Sequence, residues 1–205
     1  MLDMDGTILD LAFDNYVWRE LVPARYAELS GLDPQRAKEQ LFAKYEAILG
    51  DLEWYCLDHW SERLGFDVLK LHYEVRHRIE YLPQAHAFLQ HMQRRDIKLL
   101  LVTNSHGDTL QLKDETLRFS CYFDGVYSSH RLGFAKERQE FWHALKDAEG
   151  FDPATTMFVD DTERVLESAA QFGVAMPVGV TCPDTSEPRR QDAAFVSIEG
   201  VKDLL

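Results

Sequence analysis

Positive charge is scarce in this sequence. The 205 residues include 22 lysines and arginines against 35 aspartates and glutamates, which gives a net charge of −13 at neutral pH. Proteins that bind nucleic acids usually carry clustered basic residues, and the short pairs Arg94-Arg95 and Arg189-Arg190 do not form such a cluster. We therefore expect no nucleic-acid partner. A small anionic substrate remains compatible, because a metal ion and one lysine can set the potential inside a single cleft.

Cysteines are few and long apolar runs are missing. Cys56, Cys121 and Cys182 lie far apart without the spacing of a metal-binding motif, and an odd number disfavours a closed disulfide framework. No apolar run approaches the roughly 20 residues that a membrane-spanning helix needs. We expect a cytoplasmic protein with reduced thiols and no membrane contact, either a monomer or a weak dimer.

The first turn of the chain carries two carboxylates. Asp3 and Asp5 precede Gly6-Thr7, and residues two apart in an extended chain point to the same side. One carboxylate can then act as a nucleophile or metal ligand while the other transfers a proton. Two ionised carboxylates this close favour a bound cation, so the pair indicates Mg²⁺. Taken alone, an Asp-Gly turn after a strand is also a common loop.

Three later segments place polar residues at the ends of predicted strands or at the start of a helical pattern. In chain order these are Thr103-Asn104, Lys136 and Asp160-Asp161. Together with Asp3 and Asp5, they resemble the four ordered motifs of the haloacid dehalogenase-like (HAD) phosphohydrolases. The resemblance extends over nearly the whole chain. One departure is Glu137, which stands where family members often have proline after the motif lysine.

The resemblance implies a role for each motif residue. Asp3 is expected to be the nucleophile that forms an aspartyl-phosphate, and Asp5 the general acid and base. The residues expected to bind phosphate are Thr103, Asn104 and Lys136. The expected Mg²⁺ ligands are Asp3, Asp161, the backbone carbonyl of Asp5, and Asp160 through water.

Residues 12–81 have helical patterns and no convincing strand. Four helices are predicted over residues 14–30, 34–49, 51–64 and 67–79, with Asp14 as the N-cap of the first. From residue 83 onward, amphipathic helices alternate with short apolar strands, which indicates a parallel sheet with helices on both faces. We therefore expect an α/β fold, a Rossmann-like core of residues 1–11 and 82–205, with residues 12–81 as an inserted helical cap. The family resemblance matches this insertion to a type 1 cap.

The nucleophile should end a central strand of about five or six residues, yet only Met1 and Leu2 precede Asp3. We therefore expect the natural protein to begin roughly ten to twenty residues upstream, with an apolar segment that completes the strand.

Substrate choice is expected to lie in the cap. Residues 10–16 and 54–58 are similar to those of purine nucleotidases within the family, which implies GMP and IMP as substrates. Phe13 and Trp18 can stack on a base, and Asn15 can read the 6-oxo group that GMP and IMP share. Phosphatases of sugar phosphates or phosphoglycolate, and phosphomutases, remain alternatives, as does a catalytically silent binding module. Haloacid dehalogenation is disfavoured because it needs neither Asp5 nor a metal.

Overall fold

A computed structural model describes residues 1–191 and 194–205. Its centre is a parallel sheet whose strands lie close to the predicted positions. These are β1 (Leu100–Thr103), β2 (Gly125–Ser128), β3 (Met157–Asp160), β4 (Met176–Val180) and β5 (Val196–Ile198). The pairs β1 with β2, β3 with β4, and β4 with β5 are all parallel.

The first three residues join the two halves of this sheet. The Leu2 amide donates to Leu100 O at 2.9 Å on one side, and the Asp3 amide donates to Val159 O at 2.9 Å on the other. The described residues therefore give the order β2, β1, residues 1–3, β3, β4, β5. Since the carboxyl ends of parallel strands share one edge, Asp3 lies between the ends of β1 and β3.

Helices dominate the insertion between residue 11 and residue 82. They are α1 (Ala12–Tyr16), α2 (Val22–Ser30), α3 (Pro34–Glu46), α4 (Leu57–Leu64) and α5 (Val68–Glu74). A π-helical segment, Val17–Leu21, joins α1 to α2. Asp33 caps α3 by accepting from the backbone N–H groups of Gln35 and Arg36. The prediction that Asp14 caps the first helix is wrong, because α1 begins before it.

The helices of the α/β core follow in the predicted order. They are α6 (Ala85–Met92), α7 (Gly107–Leu117), α8 (Ser129–Leu132), α9 (Gln139–Glu149) and α10 (Glu163–Phe172). The short helix α8 is the one that the sequence patterns did not predict. Among the residues that the structure describes, no helix is both long and apolar enough to cross a membrane.

Two hydrophobic clusters cover the two faces of the sheet. Leu101 packs with Phe88 and Leu89 of α6 on one face, whereas Leu100 and Val102 belong to the cluster on the other. This alternation is expected of a strand buried on both sides. In the second cluster, fully buried Trp142 donates from Nε1 to Lys136 O at 2.9 Å. Packing of α9 therefore helps to position the loop that carries Lys136.

A third hydrophobic cluster is formed mainly by the insertion, with Leu112 of α7 contributed by the core. It is built on buried residues that include Phe13, Val17, Leu41 and Trp60. The two chain segments that enter and leave the insertion run side by side, since the Asp10 amide donates to Glu80 O at 2.9 Å. This separate cluster and paired connection support the proposed division into a core and a cap of residues 12–81.

Candidate active site

The carboxyl edge of the sheet brings together side chains from three neighbouring segments. Asp3 ends the central segment, Thr103 ends β1 and Asp160 ends β3, and all three are buried. The structure therefore gathers the first, second and fourth motifs into one place. Because the three positions are set by strand pairing, their spacing is fixed by the sheet rather than by a flexible loop.

Lys136 links two of these carboxylates. Its Nζ lies 2.5 Å from Asp3 Oδ1 and 2.6 Å from Asp160 Oδ2, with a longer contact of 3.3 Å to Val102 O. Burial alone lowers the pKa of Lys136, but the two carboxylates outweigh burial and hold that pKa above its usual value. Lys136 is therefore a buried, charged group at the centre of the site.

Asn104 and Glu137 hold the loop around Lys136. Asn104 Oδ1 accepts from the Lys136 backbone N–H at 2.9 Å, and Asn104 Nδ2 donates to Glu137 Oε2 at 3.0 Å. The other Glu137 oxygen accepts from the hydroxyl of Tyr55, in the cap, at 2.5 Å. The glutamate that departs from the family pattern thus forms a contact between the core and the cap.

Three carboxylates are placed to share a cation. Asp3, Asp160 and Asp161 each present an oxygen, and these oxygens lie within 4.8 Å of one another. Burial raises the pKa of Asp3 to about 8 and those of Asp160 and Asp161 to about 6, although Lys136 opposes these shifts. The three carboxylates outnumber the two cations paired with them, Lys136 and Arg190, and an all-oxygen donor set of this kind fits Mg²⁺.

Gly6 allows Asp161 to approach the first motif. Its φ is +81°, and an added Cβ would lie 2.7 Å from Asp161 Cγ and 2.9 Å from Pro183 Cβ. A larger residue would therefore displace the carboxylate as well as strain the backbone. On its outer side, Asp161 Oδ2 pairs with Arg190 Nη1 at 3.0 Å.

Asp5 has a different environment from Asp3. Its Oδ1 accepts from Lys113 Nζ at 2.7 Å, and the same ammonium donates to both carboxylate oxygens of Asp14 at 2.8 Å. Burial and the Asp14 charge raise the pKa of Asp5 to about 6, against the effect of Lys113. The Asp5 side chain thus lies outside the carboxylate cluster, and its expected metal contact, through the backbone carbonyl, stays a proposal.

Sequence reasoning missed Lys113. This residue is only 1% exposed, although it lies in a helix that also carries the acidic residues Asp108, Asp114 and Glu115. A pattern was present: Thr109, Leu112 and Lys113 occupy one stripe of α7 at helical spacing, and all three are buried. A lysine on the apolar stripe of a helix indicates a buried ionic partner.

The Thr103 hydroxyl accepts one hydrogen bond within its loop and can still donate one to a ligand. Its Oγ1 accepts from the Ser105 backbone N–H at 3.0 Å, which closes the loop after β1. Accepting this bond leaves the hydroxyl hydrogen to donate to a ligand oxygen.

A cavity of about 860 Å³ opens above these side chains, between the sheet edge and the cap. Asp3, Asp5, Thr103 and Lys136 lie at its floor. The cap contributes an aromatic wall made of Trp18, Tyr45, Trp54, Tyr55 and Trp60. The site therefore joins an anionic, lysine-containing floor to a wall suited to a flat ring.

The three expected cap contacts have different outcomes. Trp18 and Asn15 line the cavity, and Asn15 Nδ2 donates to Asp184 Oδ2 at 2.6 Å. Phe13 does not line it; this side chain is 2% exposed and packs edge-on against His72 with ring centroids 5.8 Å apart. The expectation that Phe13 stacks on substrate is therefore wrong, because the residue points into the cap core.

A sequence model of the haloacid dehalogenase-like hydrolase family matches residues 1–173. The chain belongs to this family. Family membership confirms the motif resemblance and the prediction of an enzyme rather than a silent binding module.

Two curated relatives of this HAD hydrolase carry the same name. GMP/IMP nucleotidase YrfG of Escherichia coli strain K12 is 38% identical over 205 residues, which are 100% of this chain and 92% of the relative. The protein of that name from Shigella flexneri gives the same values. The match thus includes the cap as well as the core.

A solved structure shows the same architecture. The HAD phosphatase from Thermococcus onnurineus superposes with a TM-score of 0.82 at 18% identity, covering 99% of this chain and 94% of that one. At this identity the likeness bears on the fold alone. It confirms the predicted class, a Rossmann-like parallel core with a helical cap.

Proposed function

We propose that this HAD hydrolase is a Mg²⁺-dependent phosphatase of purine 5′-nucleoside monophosphates, with GMP and IMP as preferred substrates. The observation that carries the proposal is the cavity itself, in which a nucleophile, an acid and a lysine face an aromatic wall. The full-length match to a relative named GMP/IMP nucleotidase supports the same substrate class.

Asp3 and Asp5 divide the chemistry. An Asp3 oxygen attacks phosphorus, a bond forms between them, and the bond from phosphorus to the nucleoside 5′ oxygen breaks. Asp5, whose pKa is about 6 because of burial, gives its proton to that leaving oxygen. The ionised Asp5 then removes a proton from water, which attacks phosphorus and restores the Asp3 carboxylate as phosphate leaves.

The remaining motif residues hold the phosphoryl group. Lys136 and the Thr103 hydroxyl neutralise and orient its oxygens, with the Asn104 backbone N–H beside them. Of the three Lys136 contacts, the one to Val102 O is the longest at 3.3 Å, so this is the contact that a phosphate oxygen replaces. Asp3, Asp161 and the Asp5 carbonyl, with Asp160 through water, would hold Mg²⁺, which would supply further positive charge for the phosphoryl group.

A substrate panel tests this proposal. Phosphate release is measured with Mg²⁺ present for GMP, IMP, CMP, UMP, glucose 6-phosphate and phosphoglycolate, and kcat/KM values are compared. We expect the highest values for GMP and IMP. A preference for sugar phosphates or phosphoglycolate would instead favour the alternative phosphatases of the same family, and the absence of phosphate release would reject the enzyme assignment.

A further inference from the structure

Three soft or borderline metal ligands meet on one side of the cavity, away from the carboxylate cluster. Cys56 precedes α4 in the cap, His106 precedes α7 in the core, and His130 lies in α8. The Cys56 sulfur and one ring nitrogen of each histidine lie within 4.8 Å of one another. None of the three belongs to the carboxylate set of Asp3, Asp160 and Asp161.

The two histidine rings lie in direct contact. Their centroids lie 4.8 Å apart at an interplanar angle of 77°, so the rings meet edge to face. His130 Nε2 is buried and has no hydrogen-bond partner among the described residues. A buried nitrogen without a partner carries a desolvation cost that a bound cation relieves.

His106 has a carboxylate beside each ring nitrogen. Asp108 Oδ2 lies 3.7 Å from Nδ1, and Asp58 Oδ2 lies 3.9 Å from Nε2. Whichever nitrogen binds a metal, the N–H of the other faces a carboxylate that can accept a hydrogen bond after a small shift. Histidine ligands in metal sites are commonly oriented by such a carboxylate. The Asp108 backbone N–H donates to His106 Nδ1 at a distance of 3.4 Å. If Nδ1 is the nitrogen that binds the metal, the metal takes the place of this long hydrogen bond.

The donor types in the cluster also suit a metal. Cys56 is a free thiol. Thiolate and imidazole donors select Zn²⁺ over Mg²⁺, which prefers oxygen ligands.

We propose that Cys56, His106 and His130 form a Zn²⁺ site that clamps the cap to the core. Ligand atoms around a tetrahedral zinc are roughly 3.5 Å apart, so side-chain rotations that shorten the present spacing complete the site. Asp58 or a water molecule supplies the fourth ligand. The site is independent of the carboxylate cluster and of the substrate that the enzyme accepts.

A zinc ion at this site would hold one wall of the cavity in place. Tyr55 and Leu57, on either side of Cys56, both line it, and so does His106. Zinc bonded to Cys56 and to the two core histidines therefore ties one wall of the cavity to the core. Because cap opening commonly controls substrate entry and product release in enzymes with lids, we expect bound zinc to slow turnover.

Cobalt absorption tests the ligands directly, without reference to activity. The chelator-treated, reduced protein is equilibrated with excess Mg²⁺ and titrated with Co²⁺, and the thiolate-to-cobalt charge-transfer band is recorded. We expect a band that saturates at one equivalent and disappears when Zn²⁺ is added. Cys56→Ser should abolish the band. His130→Gln should lower the affinity for Co²⁺, read from the same band, at least tenfold. Cys121→Ser, which removes an exposed thiol elsewhere, is the matched control and should leave it unchanged.

The same titration identifies failure. No charge-transfer band in the wild type, or a band that survives in Cys56→Ser, would overturn the site. Circular dichroism of each variant checks the fold, and Cys56→Ser changes a single atom, so the comparison does not depend on His130→Gln folding normally.

Turnover tests the clamp. With saturating Mg²⁺, Zn²⁺ should lower the rate of the wild type several-fold but leave Cys56→Ser at its own zinc-free rate. Equal inhibition of both proteins would assign the effect to zinc at the carboxylate cluster and would overturn the clamp. If no phosphate ester is hydrolysed at all, the proposed function fails, whereas the cobalt band still decides the metal site.

Discussion

Lys113 Nζ lies 2.7 Å from Asp5 Oδ1 and 2.8 Å from Asp14, so one buried ammonium joins the proposed acid of the core to the first helix of the cap. Lys113 comes from α7 and lies in neither the first motif nor the cap. Opposing carboxylates keep this lysine charged and raise its pKa, although burial works in the other direction. The proton on Asp5 is thus controlled from two parts of the fold.

Replacing Lys113 with methionine should lower the stability of the protein and raise the pKa of the proposed acid, Asp5. The change leaves two partly buried carboxylates without a counter-charge. Removing one partner of a fully buried pair costs about 3 kcal/mol in the free energy of unfolding, and partial exposure should make the loss smaller here. Lys113 lowers the pKa of Asp5, and Asp5 must hold its proton to act as the acid. Without Lys113, the alkaline limb of the kcat profile should therefore move to higher pH. Chemical denaturation and pH–rate profiles measure the two effects. Lys146→Met, an exposed position on α9, serves as the control and should change neither.

Replacing Asp3 with asparagine should lower kcat by at least about 1,000-fold, because an amide is a poor nucleophile. The two side chains are nearly the same size, so the circular dichroism spectrum should be native. Steady-state phosphate release gives the measurement. Asp96→Asn, at an exposed site, should keep full activity. Comparable turnover by a correctly folded Asp3→Asn protein would contradict the nucleophile assignment.

Affinity for Mg²⁺ should rise with pH. In the metal-free protein, burial raises the pKa of Asp3 to about 8 and those of Asp160 and Asp161 to about 6, so protons compete with the metal at acidic pH. The apparent dissociation constant should therefore fall between pH 6 and pH 8, with release of protons on binding.

Isothermal titration in buffers of different ionisation enthalpy measures both quantities. Chelation by EDTA should remove activity, and added Mg²⁺ should restore it. Gly6→Ala should weaken binding at every pH, because its Cβ meets Asp161 Cγ at 2.7 Å. An affinity that is the same at pH 6 and pH 8 would mean that the cluster is already ionised without metal.

His72 should make the protein sensitive to acid. Burial lowers the folded-state pKa of this side chain to about 4, against an unfolded value of 6.5. Its stabilising contribution is complete above pH 6.5 and is lost as the pH falls towards 4, since only the unfolded chain then gains the proton. The loss amounts to about 3 kcal/mol.

Urea denaturation between pH 7 and pH 4 measures this effect. His72→Gln should lose less stability over that range than the wild type, whatever its stability at pH 7. His77→Gln, at an exposed position of the same region, should follow the wild type. Parallel pH curves for the wild type and His72→Gln would show that other groups control acid unfolding.

Structural features that depend on residues close together in sequence can be predicted from local patterns, whereas contacts between residues far apart in sequence cannot. Asp3, Thr103 and Asp160 were predictable because strand-end residues of a parallel sheet share one edge, so local patterns suffice. The ion pair of Asp14 cannot be predicted from local patterns, because its partner, Lys113, is 99 residues away in the sequence. Phe13 was misplaced because proximity to the catalytic loop does not determine which side of a helix faces the cavity.

The same limit explains what was missed elsewhere. Cysteine spacing gave no indication of a metal site, because Cys56 meets histidines from two other segments only in the folded chain. Glu137 departed from the family pattern, yet its meaning became clear only through its contacts with Asn104 and Tyr55. Contacts between the cap and the core combine residues far apart in sequence, and no periodicity records them.

Substrate preference should depend on Trp18 and not on Phe13. Trp18 lines the cavity, and stacking of a base on an aromatic ring contributes about 1–3 kcal/mol. Trp18→Ala should therefore reduce kcat/KM for GMP and IMP by roughly 5- to 150-fold, with a much smaller effect on glucose 6-phosphate. Phe13→Ala removes a buried ring, so it should lower the melting temperature while leaving the ratio of GMP to glucose 6-phosphate turnover unchanged. If Trp18→Ala lowers kcat/KM equally for all substrates, the ring stabilises the cap and does not stack on the base. The base must then contact another part of the aromatic wall.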